Sequence, residues 1–216
     1  MSSADHDVPT SWSRIDAWLA AHTRRGPVRS AGPAGPAGSA GPATDAARLD
    51  AFEADLGLPL PADLRAWWLL PEVAAGHWIP GEFAPVPLGE ALETHETWLL
   101  VAAQEGDSFD GNGRPESRYQ REFMPIALDP GGDGLIVDLR PGDTRGAVFR
   151  WDHETWILDV PQWASVASML QDVAQALEAG TPVLLGHAAL GGSQAPGTAT
   201  VDAVGDLTWE PTTAGR

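Results

Sequence analysis

The sequence predicts a mixed domain in which helices flank an antiparallel strand meander. Three observations lead there. Apolar residues recur at spacings of three and four in five stretches; between residues 123 and 151 that period gives way to short apolar runs divided by Pro/Gly turns. The third observation is size: 216 residues, 43% hydrophobic and 20% charged, suit one core with appendages rather than two full domains.

The first stretch places Trp12, Ile15, Trp18, Leu19 and His22 on one stripe, with Ser11 as N-cap and an end near Arg24 to Gly26. Residues 27–43 are then almost wholly Gly, Pro, Ala and Ser. Two GPA triplets, at Gly32 and Gly35, are too few for a collagen helix, so a disordered Gly/Pro/Ala insertion is expected. Thr44 or Asp45 opens a second helix, lined by Leu49, Phe52 and Leu56 and stopped by Gly57. Pro61 suits the first turn of a third, Asp63 favours its positive end, and Leu64, Trp67 and Trp68 face the core before Pro71 and Gly76 end it. Residues 77–88 are Pro-punctuated and read as irregular. A fourth helix spans residues 89–103, with Leu92, Glu96, Leu99 and Leu100 at helical spacing, and residues 104–121 read as an exposed loop.

Phe123–Leu128, Leu135–Leu139 and Ala147–Trp151 are the predicted strands, joined by turns at Pro130–Gly134 and Pro141–Asp143. The strongest helix is Trp163–Ala179, with Val166, Met169, Leu170, Val173 and Leu177 on one face and Gly180 as its cap. Residues 181–216 form a Gly-rich C-terminal extension with a hairpin at 198–209 around Gly205 and frayed terminal residues.

Composition excludes several chemistries. Without Cys there is no disulfide, thiolate metal site or cysteine nucleophile, and the expected compartment is cytoplasmic. All 13 basic residues are Arg, so lysine nucleophiles and Schiff bases are excluded too. A formal charge of −17 repels phosphate backbones, which argues against nucleic acid as a direct ligand and favours a basic protein partner. No signal peptide or membrane span is expected, because the opening residues carry Asp5, His6 and Asp7 and no run of about 18 apolar residues occurs. The acidity is uneven: eight acids and no Lys or Arg lie between residues 151 and 215. That bias serves solubility or an electrostatic docking surface.

The motifs that suggest catalysis or metal binding fail on spacing. Counting an EF-hand loop from Asp110 puts Arg114 and Arg121 where oxygen ligands belong. His95-Glu96-Thr97-Trp98 begins like a zinc-protease helix, but the residue four after His95 is Leu99. Gly131-Gly132-Asp133-Gly134 lacks the Lys and Ser/Thr of a phosphate loop and reads as a tight turn. There is no G-x-S-x-G elbow, and Asp152, His153 and Glu154 are consecutive, so they alternate sides and form no dyad. No catalytic, cofactor-binding or metal residue is assigned. Most of the ten tryptophans belong to the core, with one or two free to anchor a partner.

The order of these pieces resembles the SUKH superfamily, which holds bacterial immunity proteins and fungal Smi/Knr-type cell-wall-assembly regulators. The resemblance rests on Leu49-Asp50-Ala51-Phe52-Glu53-Ala54-Asp55-Leu56-Gly57 followed by Leu60-Pro61-Ala62-Asp63-Leu64-Arg65-Ala66-Trp67-Trp68, close to an acidic E-x-x-L-G-x-x-L-P-x-D-L-R opening. It continues through Phe123–Ala127 with Asp129, Gly134–Asp138, Gly146–Trp151 and the Trp163–Leu177 helix. The resemblance implies an α+β domain over residues 11–180, a mixed, largely antiparallel sheet with helices packed against it, and no cofactor and no catalysis. It implies action through a protein partner. The first expectation is an immunity-type protein blocking a basic toxin domain through an acidic face of Asp129, Asp133, Asp138, Asp152 and Glu154, while Leu60, Pro61, Trp67 and Trp68 serve the fold. A regulatory scaffold in cell-wall or signalling assembly is the alternative; a carboxylate or metal hydrolase is the third.

Overall fold

The computed structural model describes residues 7–24, 42–70, 73, 76–104, 118–155, 158, 161–183 and 197–211. Residues 27–41 of the expected Gly/Pro/Ala insertion, and the calcium-loop lookalike at 107–114, lie outside them.

Among the described residues five helices and two sheets make an α+β fold: α1 Val8–His22, α2 Pro42–Leu56, α3 Ala62–Trp68, β1 Ala84–Pro85, α4 Leu88–Gln104, β2 Phe123–Leu128, β3 Gly134–Asp138, β4 Val148–Trp151, α5 Val166–Ala179, β5 Gly197–Val201 and β6 Leu207–Pro211. Strands β1 to β4 pair antiparallel in sequence order, and β5 and β6 form a separate hairpin. Among the described residues every strand pair is antiparallel, in keeping with the largely antiparallel sheet expected.

A bulge at Ile126 divides the partners of β2, since Pro125 faces Ile136 and Ala127 faces Leu135. The extra residue keeps Met124, Ile126, Ala127, Leu135, Val137 and Val148 in one core with α1, α3 and α5. Phe123, Ile136, Phe149 and Trp151 belong to a second cluster with Tyr119 and Ala102, against which Trp98 of α4 packs. The sheet is therefore covered on both faces, and its strands are almost continuously buried.

The acidic opening motif is a self-contained clasp. Glu53 Oε1 accepts the Leu60 N–H at 2.7 Å, and Arg65 donates to Glu53 at 3.1 Å and to Asp50 at 2.5 Å. Pro61 precedes the first residue of α3, Leu60, Trp67 and Trp68 are buried, and Asp63 Oδ2 accepts the Ala167 N–H in the first turn of α5 at 3.0 Å. This one stretch of sequence thus ties α2, α3 and α5 together.

Several expectations shift. Helix α1 begins three residues before Ser11, with Asp7 flanking it and Ser11 buried inside, because Pro9 is tolerated in a first turn where no backbone donor is needed. Helix α2 starts at Pro42, inside the expected insertion. Helix α3 ends at Trp68, before Pro71. The 77–88 stretch supplies β1, whose Ala84 and Pro85 pair with Leu128 and Ala127. On α4 the inward face is Leu88, Ala91, His95 and Ala102, while Leu100 is 63% exposed. Trp163 lies outside α5, bridging to Val148, and Ser165 caps the helix in a capping box with Ser168. At the other end Gly180, at φ 64°, takes the left-handed conformation that closes the helix.

The hairpin docks on the core. Trp209 Nε1 donates to the Trp78 carbonyl at 3.1 Å, Arg24 N–H donates to the Gly205 carbonyl at 2.9 Å, and Ala199, Leu207 and Trp209 pack against the main cluster.

Candidate functional site

The five acids expected on one face are divided between the two ends of β3. At its start, the β2–β3 turn is built on Asp129, whose Oδ1 accepts the N–H groups of Gly131 and Asp133 at 2.8 and 2.9 Å. That geometry turns Asp133 inward. Its Oδ2 takes a 2.7 Å bond from Arg150 Nη2, and its Oδ1 lies 2.9 Å from His153 Nδ1 and 3.2 Å from the His153 N–H. Burial pushes the Asp133 carboxyl up, but the His153 and Arg150 hydrogen bonds and the Arg150 charge outweigh it, leaving the pKa below its ordinary value.

At the far end, Asp138 is fully buried and receives a bidentate Arg140 fork at 2.9 and 2.8 Å, the Arg140 N–H and the Thr144 hydroxyl. Here too burial raises the carboxyl and the Arg140 and Thr144 hydrogen bonds more than reverse it. Arg140 also stands 4.7 Å over the Phe123 ring. Asp133 and Asp138 are therefore internal anchors, not outward charges. A side chain at 0% exposure has no surface to offer a partner.

Asp129 and Asp152 are half-buried and Glu154 is exposed. Asp152 Oδ1 accepts the N–H groups of Glu154 and Thr155 at 3.0 and 2.9 Å, the same turn device used by Asp129. Because Asp133 binds His153, the two acid-headed turns share one end of the sheet. The result is a rim of Asp129, Asp152 and Glu154 over a neutralised interior.

On the face of the sheet covered by α4 lies a group that sequence patterning overlooked. Tyr119, at the close of the expected exposed loop, is 3% exposed and donates to the Phe123 carbonyl at 2.6 Å. His95 Nδ1 approaches the same carbonyl at 2.8 Å, so Nδ1 carries the proton, a carbonyl being only an acceptor. Burial is the main cause of a lowered His95 pKa, and burial holds the Tyr119 phenol well above its ordinary value. Both are neutral at pH 7 in an aromatic cluster with Trp98, Phe123 and Trp151. A lone tyrosine among polar letters carries no periodic signal. An arginine inside the apolar run Val148-Phe149-Arg150-Trp151, by contrast, does announce a buried acid partner.

Among the described residues no group of three His, Cys, Asp or Glu could hold a metal ion, and no helix is long and apolar enough to cross a membrane. The comparisons agree with the fold: a family model described as SMI1 / KNR4 family (SUKH-1) matches residues 43–172. No curated protein matches the chain.

Proposed function

The chain belongs to the SMI1 / KNR4 family (SUKH-1), and from that membership we propose a non-enzymatic protein-binding module, an immunity-type protein that neutralises a basic toxin domain through an acidic surface. The family suggests an immunity or regulatory protein-binding role. Charge favours the first.

The supporting observation is how the cations are used. Arg14, Arg48, Arg65, Arg121, Arg140 and Arg150 are each held in an ion pair with an acid of the same chain. With a net charge of −17, the acids left over dominate the field outside the molecule. Such a field speeds encounter with a basic protein and suits a cleft shaped for phosphates. Asp129, Asp152 and Glu154 are the proposed contacts at the sheet rim; Asp133 acts by joining the two turns that present them, and Asp138 holds the β3–β4 turn at the opposite end of the strand.

Affinity capture with the full chain from its native cells, at low and at high salt, tests this reading. One basic protein retained at low salt and shed at high salt supports it. Retention of cell-wall or signalling proteins instead favours a regulatory scaffold, and retention of no basic protein overturns the immunity reading.

A further inference from the structure

The buried stripe of α4 divides at His95. Before it, Leu88 and Ala91 belong to the main core with α1, α3 and α5. After it, Ala102 belongs to the second cluster with Tyr119, Phe123, Ile136, Phe149 and Trp151, and Trp98 and Leu99 pack against that cluster, while Leu100 and Val101 stand exposed. Polar ties close this far half onto the chain that leads into β2: Arg118 donates to the Ala102 carbonyl at 3.0 Å, and His95 Nδ1 donates to the Phe123 carbonyl at 2.8 Å.

His95 itself is 5% exposed. The hydrogen bonds of its ring among the described residues are made at Nδ1, to the Phe123 carbonyl and the Tyr119 hydroxyl, so a second proton has to enter at Nε2. The surroundings suit a neutral ring. Phe52 of α2 stands perpendicular to it at 5.6 Å between centroids, Tyr119 is an uncharged phenol, Glu96 on its own helix is exposed, and Asp55 of α2 and Arg121 are paired with each other at 3.0 Å. An imidazolium held there would be a nearly buried cation with no carboxylate bonded to it, a state that a protein leaves by losing the proton or by exposing the ring. Burial accordingly lowers the pKa of the closed form, so acid favours a conformation in which the ring meets water.

We propose that the far half of α4, residues 95–104, is an acid-sensitive flap: protonation of His95 at Nε2 swings it off the second cluster and opens Tyr119, Phe123 and Trp151 to water while the main core stays closed. Leu88 and Ala91 anchor the near half, and the division of α4 between two clusters lets one part open without the other.

Amide hydrogen exchange of the full chain, followed by NMR from about pH 7 to about pH 5.5 and corrected for the intrinsic chemical rate, tests the flap. Residues 96–104 are expected to exchange faster than the buried residues of α5 already at the upper pH, and to open about fivefold more often at the lower one. Low concentrations of denaturant should leave their exchange nearly unchanged, because a flap exposes little surface, and accelerate that of α5. His95→Asn, which keeps a donor at the Nδ1 position and cannot titrate, should abolish the acid response of residues 96–104. One shared opening rate and denaturant response for α4 and α5, or the same acid response in His95→Asn, overturns the proposal. The unmodified chain supplies a check that needs no variant: His95 ring nitrogens that titrate near 6.5 with protection of residues 96–104 intact overturn it as well.

Discussion

Asp133 Oδ1 lies 2.9 Å from His153 Nδ1, joining the β2–β3 turn to the segment after β4. The same carboxylate holds Arg150 at 2.7 Å, so a single acid fixes both turns that carry the proposed rim. Asp133→Asn keeps the shape and removes the charge, leaving Arg150 half-buried without a counter-ion. The expected cost is about 2–3 kcal/mol of unfolding free energy in denaturant titration. A loss near zero would mean that the pair is as weak as an exposed one.

Acid should act through the same residue. The folded pKa of Asp133 is lowered relative to its ordinary 3.8, so its contribution is fully present above that value and fades as pH falls through the lower folded value. Asp138 follows the same sign. Asp133→Asn is expected to flatten the stability profile below about pH 4 relative to the unmodified chain, measured as denaturation midpoint against pH.

His95 gives a second window at milder pH. Its folded pKa is lowered from 6.5, so the folded state resists the proton that the unfolded chain accepts. Stability is complete above 6.5 and declines as pH falls below it towards the folded value. His95→Asn should lower stability at neutral pH by about 1–2 kcal/mol and remove that part of the decline. Parallel pH profiles for the two proteins would contradict the buried neutral imidazole.

Close packing at Gly134 is testable by size. A Cβ there would stand 2.6 Å from Trp98 Cη2, inside any normal contact. Gly134→Ala is expected to cost about 1–3 kcal/mol, and Trp98→Phe in the same chain to recover part of it. Additive losses in the double-mutant cycle would place Trp98 away from β3.

The hairpin depends on another glycine. Gly205 has φ +91°, and a Cβ would meet the Arg24 backbone nitrogen at 2.9 Å. Gly205→Ala should undock β5 and β6, seen as loss of amide protection at Thr200 and Trp209 with α5 protection retained. Unchanged protection of Trp209 would mean that the Arg24 contact does not hold the hairpin.

How far the sequence could be read depended on where each signal resides. Val166, Met169, Leu170, Val173 and Leu177 are large, apolar and periodic, so α5 and its buried face were plain, as were the strand runs around Pro130–Gly134 and Pro141–Asp143. Helix α4 misled because its inward face is made of Ala91, His95 and Ala102 while Leu100 points to solvent; hydrophobicity alone ranks those positions backwards. Strand β1 is two residues long and contains a proline, leaving no period to detect. The acids posed a different problem. Asp129, Asp133, Asp138, Asp152 and Glu154 look alike in a list of letters, and only tertiary partners such as Arg140 and Arg150 separate buried anchors from rim charges.

The most direct measurement is the association rate of the captured basic protein with the unmodified chain and with a variant carrying Asp129→Asn, Asp152→Asn and Glu154→Gln, across a range of salt. Asparagine preserves the acceptor each turn needs, so the melting temperature should stay nearly constant while charge is lost. The expected result is an association rate lowered about tenfold at low salt, with a shallower salt dependence and a dissociation rate changed less. Equal association rates and equal salt slopes for the two proteins would contradict the acidic rim as the docking surface.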